Sequence, residues 1–195
     1  LLKKFVDRNN IKFIEHNSRI GGRFSILSET GLLPFLDLKI KVEDSSEKYL
    51  NLLNDTENNS SPIKNAAIIF TCIEKYNLNI YCNLLYNYKL KHFSYWFHQL
   101  HAETLGKNKK GLTPITSICP KDHHSMMQLY LDGPKDKFFN IFSPQDEVFF
   151  DRFGKLGFSN IEKYSPQELL VEQFKSVVKV FNGKDIPCRV INISD

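Results

Sequence analysis

Cysteine is scarce in this chain of 195 residues: four, at positions 72, 82, 119 and 188, with no CxxC spacing. Neither a disulfide-stapled secreted scaffold nor a zinc-ligand pattern fits, so the thiols read as reduced, buried small side chains. No apolar run approaches the ~20 residues a bilayer span requires, and no charged leader followed by an apolar core opens the chain. The expected compartment is the cytoplasm, without a membrane partner. Charge of one sign is equally limited. Twenty-six Lys and Arg against 22 Asp and Glu leave +4, too diffuse for a duplex-binding stripe, so nucleic acid is not an expected partner, whereas a small anion is compatible. Repeats and low-complexity tracts are absent. Methionine occurs only at Met126 and Met127 and the chain opens on Leu1, which we read as a segment of a longer polypeptide.

What is present is ordinary for a folded domain. A content of 42% hydrophobic and 25% charged residues argues against disordered, collagen-like and coiled-coil chains. The length fits one α/β domain with part of a second. Lys12–Asn17 alternates enough to predict a short strand running into a glycine loop at Gly21-Gly22. Ser28 can cap a helix carrying Leu32, Leu33, Phe35, Leu36 and Ile40, and Glu43–Ser61 is a polar linker or surface helix. Ser61-Pro62 predicts a helix start. Strands at Asn79–Leu85, Pro114–Cys119, Lys137–Phe142 and Cys188–Ile193 then alternate with helices at Ser94–Leu105, His123–Leu131 and Pro166–Phe181. Strands apolar on both sides and separated by helices imply an α/β fold whose mainly parallel sheet is covered on both faces.

Several residues could carry chemistry. Gly21-Gly22-Arg23-Phe24-Ser25 lets backbone approach a ligand and offers a guanidinium fork for phosphate or a developing oxyanion; the alternative is a tight turn with a surface arginine. Gln99 and Glu103 are spaced i, i+4 on the helix that Gly106 ends, so an amide and a carboxylate share one face near the negative end of the helix dipole, which favours the protonated carboxyl. The alternative there is a solvated glutamate. His98 and His101 lack a third ligand at metal-binding spacing, so packing or surface exposure is the better reading and no metal is expected. Asp122 is the expected N-cap of the helix that begins with His123 and His124, at the carboxyl end of a parallel strand, where open α/β sheets bind ligands. A helix N-terminus keeps imidazole neutral, and adjacent helical residues point about 100° apart, so at most one of the two acts. Gln128–Lys137 reads as helix, glycine-proline turn and strand entry. Lys107–Lys110 is either an anion-steering cluster or solvated surface.

In this order the segments resemble the glucose-6-phosphate isomerase family, in particular its shorter bacterial forms. Gly21–Ser25 with Leu27-Ser28 and Gly31-Leu32 is similar to that family's GGR[FY]S signature, Ala102–Lys107 to its ESxGK segment, and Pro120–Phe139 to its GP[KR]DQHSxxQLYLDGPKDKFF block. The resemblance implies a three-layer αβα sandwich of the sugar-isomerase (SIS), flavodoxin-like type. Residues 1–27 would end a first SIS domain, 28–60 would connect, and 61–195 would form most of a second. It further implies an aldose–ketose isomerase that interconverts glucose 6-phosphate and fructose 6-phosphate through a cis-enediolate, without metal or organic cofactor. Glu103 would be the general base and Arg23 would stabilise the enediolate, with Gly22 and Gln99 lining the sugar. His124 would assist ring opening in the neighbouring subunit's site, making a homodimer the functional unit. Where the bacterial pattern has glutamine this chain has His123, to which the resemblance assigns no role. The family's phosphate-cradling loop and C-terminal lysine would lie outside these residues, so the isolated chain is expected to turn over poorly. The other reading is a non-catalytic SIS module that senses a phosphosugar; such a regulator would not need Glu103 beside Gln99.

Overall fold

The computed structural model describes residues 2–39, 50, 51, 54, 62–144 and 163–193, which fall into two compact units, Leu1–Asn54 and Asp55–Asp195. In the first, helix α1 (Leu2–Arg8) is followed by chain without helix or strand, a 3-10 turn at Gly22–Leu27 and helix α2 (Glu29–Asp37). The predicted strand at Lys12–Asn17 is not formed. No strand lies beside it among the described residues, and a lone segment has no ladder to join; its Phe13 and Ile14, and the flanking Ile11, are exposed. Ser28 does stand at the N-cap of α2, although its hydroxyl donates to the Ser25 carbonyl at 2.7 Å rather than accepting from the helix. Gly31 is required where α2 crosses the turn, because a Cβ there would stand 2.2 Å from the Ile26 carbonyl oxygen. Ile40 and all of Glu43–Ser61 except 50, 51 and 54 lie outside the described residues.

The second unit is built on four parallel strands: β1 (Ile80–Leu85), β2 (Thr113–Ile118), β3 (Lys137–Phe142) and β4 (Cys188–Ile191), in the order β2-β1-β3-β4. Central β3 is buried along its whole length and β1 along all but Ile80, as near-continuous apolar strands covered on both faces should be. Helix α3 (Pro62–Tyr76) precedes β1, α4 (Lys91–Leu105) joins β1 to β2, α5 (His123–Asp132) joins β2 to β3, and α6 (Pro166–Gly183) precedes β4. Alternate residues separate the two cores. Cys82, Leu84, Phe139 and Ile141 pack against Tyr130 of α5 and Val177 and Phe181 of α6. Tyr81 and Phe138 pack on the other side against Ile69 and Ile73 of α3 and Phe97 of α4. The result is a three-layer α/β sandwich with a central parallel sheet, as expected from the resemblance.

Boundaries follow the sequence closely, and the departures have local causes. Helix α4 begins at Lys91 rather than Ser94 because a 3-10 turn at Tyr88–Leu90, capped by the Asn87 side chain on the Lys89 amide at 3.0 Å, runs straight into it. Helix α6 carries a capping box, the Ser165 hydroxyl accepting from the Glu168 amide and the Glu168 carboxylate from the Ser165 amide. One feature of the core is polar. Asn83 and Asn140 face each other across β1 and β3, and the Asn140 amide donates to Asn83 at 2.7 Å. Arg189 of β4 then donates to Asn140, to Asn65 of α3 and to the Tyr81 hydroxyl, at 2.7, 2.9 and 2.7 Å. All four cysteines are free thiols. Burial pushes those of Cys82 and Cys119 up to about 12, while Cys72 and Cys188 are half-buried rather than buried. No helix among the described residues is long and apolar enough to cross a membrane.

Candidate functional site

The rotation of α4 is set from its inner face. His98 bonds the Thr116 hydroxyl of β2 at 2.8 Å, and His101 stacks on Tyr81 and Phe97 with ring centroids 5.0 and 5.3 Å apart. Burial holds both imidazoles below their usual pKa, and His98 lowers that of His101 further, so they are neutral packing groups. With those residues turned inward, Gln99 and Glu103 are turned to solvent. The Gln99 amide donates to Glu103 Oε2 at 3.4 Å, so the predicted pairing of amide and carboxylate is present. Gly106 closes the helix through its N–H to the Ala102 carbonyl at 2.8 Å, and a Cβ at this position would stand 2.5 Å from that oxygen.

At the start of α5 the paired histidines part. His123 bonds the Tyr86 hydroxyl at 2.7 Å and meets that ring edge-on; burial lowers its pKa and burial likewise raises that of Tyr86. Its neighbour His124 is exposed. Asp122 occupies the N-cap position, but its carboxylate turns back to accept from the Ile118 amide at 2.7 Å instead of capping the helix. That bond ties the helix start to the carboxyl end of β2, after a cis Cys119–Pro120 peptide.

Topology then separates Glu103 from His124 within one chain. Helix α4 leaves the carboxyl end of β1 and returns to the amino end of β2, so Glu103, twelve residues past Lys91, lies about 18 Å along the helix from its start. His124 follows the carboxyl end of β2, on the opposite layer of the sandwich. The two groups stand at opposite ends of the sheet and on opposite faces. The same chain therefore does not bring them together.

Gly22 and Arg23 belong to the first unit. Gly22 is exposed and opens the 3-10 turn, and Arg23, half-buried, places its guanidinium 4.8 Å from the Phe24 ring centroid. The turn is held by the Phe24 amide on the Gly21 carbonyl at 2.9 Å and the Ser25 hydroxyl on the Gly22 carbonyl at 2.7 Å. Beside it a cavity of about 430 Å³ is lined by Arg19, Ile20, Gly21, Phe24, Leu27 and Ser28. A cavity of about 710 Å³ in the second unit, between α3 and β4, touches none of the candidate residues. Sequence reasoning missed two contacts: His16 with Glu29, which ties the ends of the glycine loop, and Tyr86 with His123. Neither pair is close in sequence, so no local pattern signals it.

No family model matches the chain. It is 34% identical over 139 residues to the glucose-6-phosphate isomerase of Methanocaldococcus jannaschii, which covers 70% of this chain and 35% of that protein. With the glucose-6-phosphate isomerase of Rubrobacter xylanophilus it shares 34% over 143 residues, 72% of this chain and 33% of the relative. A solved structure of a hypothetical protein from Thermus thermophilus superposes with a TM-score of 0.83 at 26% identity, over 98% of this chain and 48% of the other. The chain thus spans about a third of the length of these curated relatives. In sequence it is related, at the level of the family, to the glucose-6-phosphate isomerases.

Proposed function

We propose that this chain forms part of an aldose–ketose isomerase that interconverts glucose 6-phosphate and fructose 6-phosphate through a cis-enediolate. Moving a proton between adjacent carbons requires a carboxylate poised over both, a cation beside the developing oxygen charge and an acid–base group at the ring oxygen. Glu103 is the base, Arg23 stabilises the enediolate, and Gly22 and Gln99 line the sugar. The partner subunit's His124 opens the ring, because Glu103 and His124 of one chain stand at opposite ends of the sheet. Residues 1–27 close one sugar-isomerase domain, 28–60 connect, and 61–195 belong to the next; the boundary between the two compact units, at Asn54–Asp55, falls inside that connecting stretch.

The observation that carries this reading is the Gln99–Glu103 pair, held outward on a helix whose rotation His98 and His101 set from within. In the intact protein, Glu103→Gln should lower kcat by about 10²–10⁴-fold, the usual contribution of a general base, with little change in KM. It should also abolish exchange of the substrate's C2 hydrogen with solvent. Undiminished exchange in Glu103→Gln would leave the carboxylate without its role and assign the proton transfer to another base or the chain to another function, whereas an intact protein with no exchange at all would favour a sensor of phosphosugars.

A further inference from the structure

We propose that a His16–Glu29 ion pair clamps the base of the Gly21–Leu27 loop and so positions Arg23; the part of this inference that concerns Arg23 rests on the isomerase reading above. The ring of His16 stands between two groups. Its Nδ1 is 2.5 Å from Glu29 Oε1 and its Nε2 is 3.0 Å from the Ile20 carbonyl. A carboxylate and a peptide carbonyl only accept, so both ring nitrogens must donate, and the ring that satisfies both contacts is the imidazolium. A neutral ring has one N–H and releases one of the two. Glu29 Oε1 also accepts from the Asn17 amide at 3.0 Å, and the Thr30 hydroxyl approaches Nδ1 at 3.2 Å. Residues 16, 17 and 20 are thereby tied to the first turn of α2, with Gly21-Gly22-Arg23 in between.

Packing adds little to the hold on this segment. From Asn17 to Leu27 no residue is buried, so hydrophobic burial contributes little and the loop depends on its hydrogen bonds. Those within the turn, at Phe24, Ser25 and Ser28, start from the backbone that the clamp fixes. Among the described residues Glu29 of α2 is the charged group that acts on the His16 ring; its other partners, the Ile20 carbonyl and the Thr30 hydroxyl, are uncharged. The pairing is mutual: the Ile20 carbonyl and Glu29 raise the pKa of His16, and Glu29 is lowered by its backbone bonds and by His16. The clamp is therefore closed between the lowered Glu29 value and 6.5, and opens as pH rises through the raised His16 value.

The test is a titration of the His16 ring nitrogens by ¹⁵N NMR, together with hydrogen exchange at the Phe24 and Ser28 amides, corrected for intrinsic rates. The expected result is a midpoint above 6.5 that falls in Glu29→Gln, with protection at both amides dropping several-fold through that midpoint in the wild-type chain only. A midpoint at or below 6.5, or protection indifferent to pH, would overturn the clamp; His16→Gln, with unchanged β1 and β3 amides as the check on folding, should lose protection at every pH. The role toward Arg23 is read in the intact protein, where Glu29→Gln should lower kcat several-fold and move the alkaline limb of its pH profile down. An unmoved limb with unchanged kcat would overturn it. Exchange at C2 in Glu103→Gln does not involve the clamp, so failure of the isomerase reading is distinguishable from failure of this one.

Discussion

Histidine is where single residues decide most in this protein. His98, His101 and His123 are packed beneath helices and have pKa values lowered by burial, whereas His16 is raised by two acceptors. The signs differ accordingly. For the three packed rings the unfolded chain binds more protons than the folded one between the lowered values and 6.5, so their contribution is complete above 6.5 and is lost as pH falls. The contribution of His16 is complete below 6.5 and is lost as pH rises through its folded value. Urea unfolding followed by probes in the second unit should therefore show a midpoint that declines from about pH 7.5 to about pH 5, while the His16 loop becomes better ordered over the same interval. A midpoint constant with pH would mean that the three rings are no more costly to protonate in the fold than in the open chain. Their spacing, three apart in one case and adjacent in another, was readable in the sequence as unsuited to a metal. Which ring faces the core and which faces water was not: His123 and His124 are chemically identical, and only the Tyr86 hydroxyl, 37 residues away, separates them.

Among elements, the helices and strands of the second unit were legible because each carries its own period. IYCNLL and KFFNIF are apolar on both sides, and HAETLG announces a helix end through its glycine. Local pattern misled at Lys12–Asn17, where alternation alone predicted a strand that finds no neighbour. In the first unit the tightest constraint belongs to the contact between the 3-10 turn and α2. Gly31→Ala would drive its Cβ into the Ile26 backbone, which stands 2.2 to 2.7 Å from that position, and backbone cannot swing aside as a side chain can. The expected cost is about 1–3 kcal/mol, as for other overpacked contacts, read as a fall in the thermal or urea midpoint of the first unit with the second unit unchanged. Gly22→Ala, whose Cβ meets nothing within 4 Å, is the control and should leave that midpoint almost unmoved.

At the scale of the whole molecule, Glu103 and His124 stand apart within one chain, and the proposed isomerase site, which needs both, therefore calls for two chains. On that proposal, the Glu103→Gln and His124→Ala variants of the intact protein should each be inactive, yet a mixture refolded together should regain activity. Half of a random mixture is heterodimer, and each heterodimer keeps one site with both native groups, so about a quarter of wild-type activity is expected for a two-fold assembly. No recovery would place both groups in one subunit's site and contradict the topology. The order of amino acids by itself determined the class of fold, the near positions of its elements and the pairing of Gln99 with Glu103, since these depend on periodicity and spacing within a few turns of chain. Only the tertiary structure decided that His16 meets Glu29, that Asn140 meets Asn83 and Arg189, and that Glu103 and His124 part company. Those relations join residues 13 to 57 positions apart, and they arise from how the sheet is ordered and how helices cross it, which no local pattern encodes.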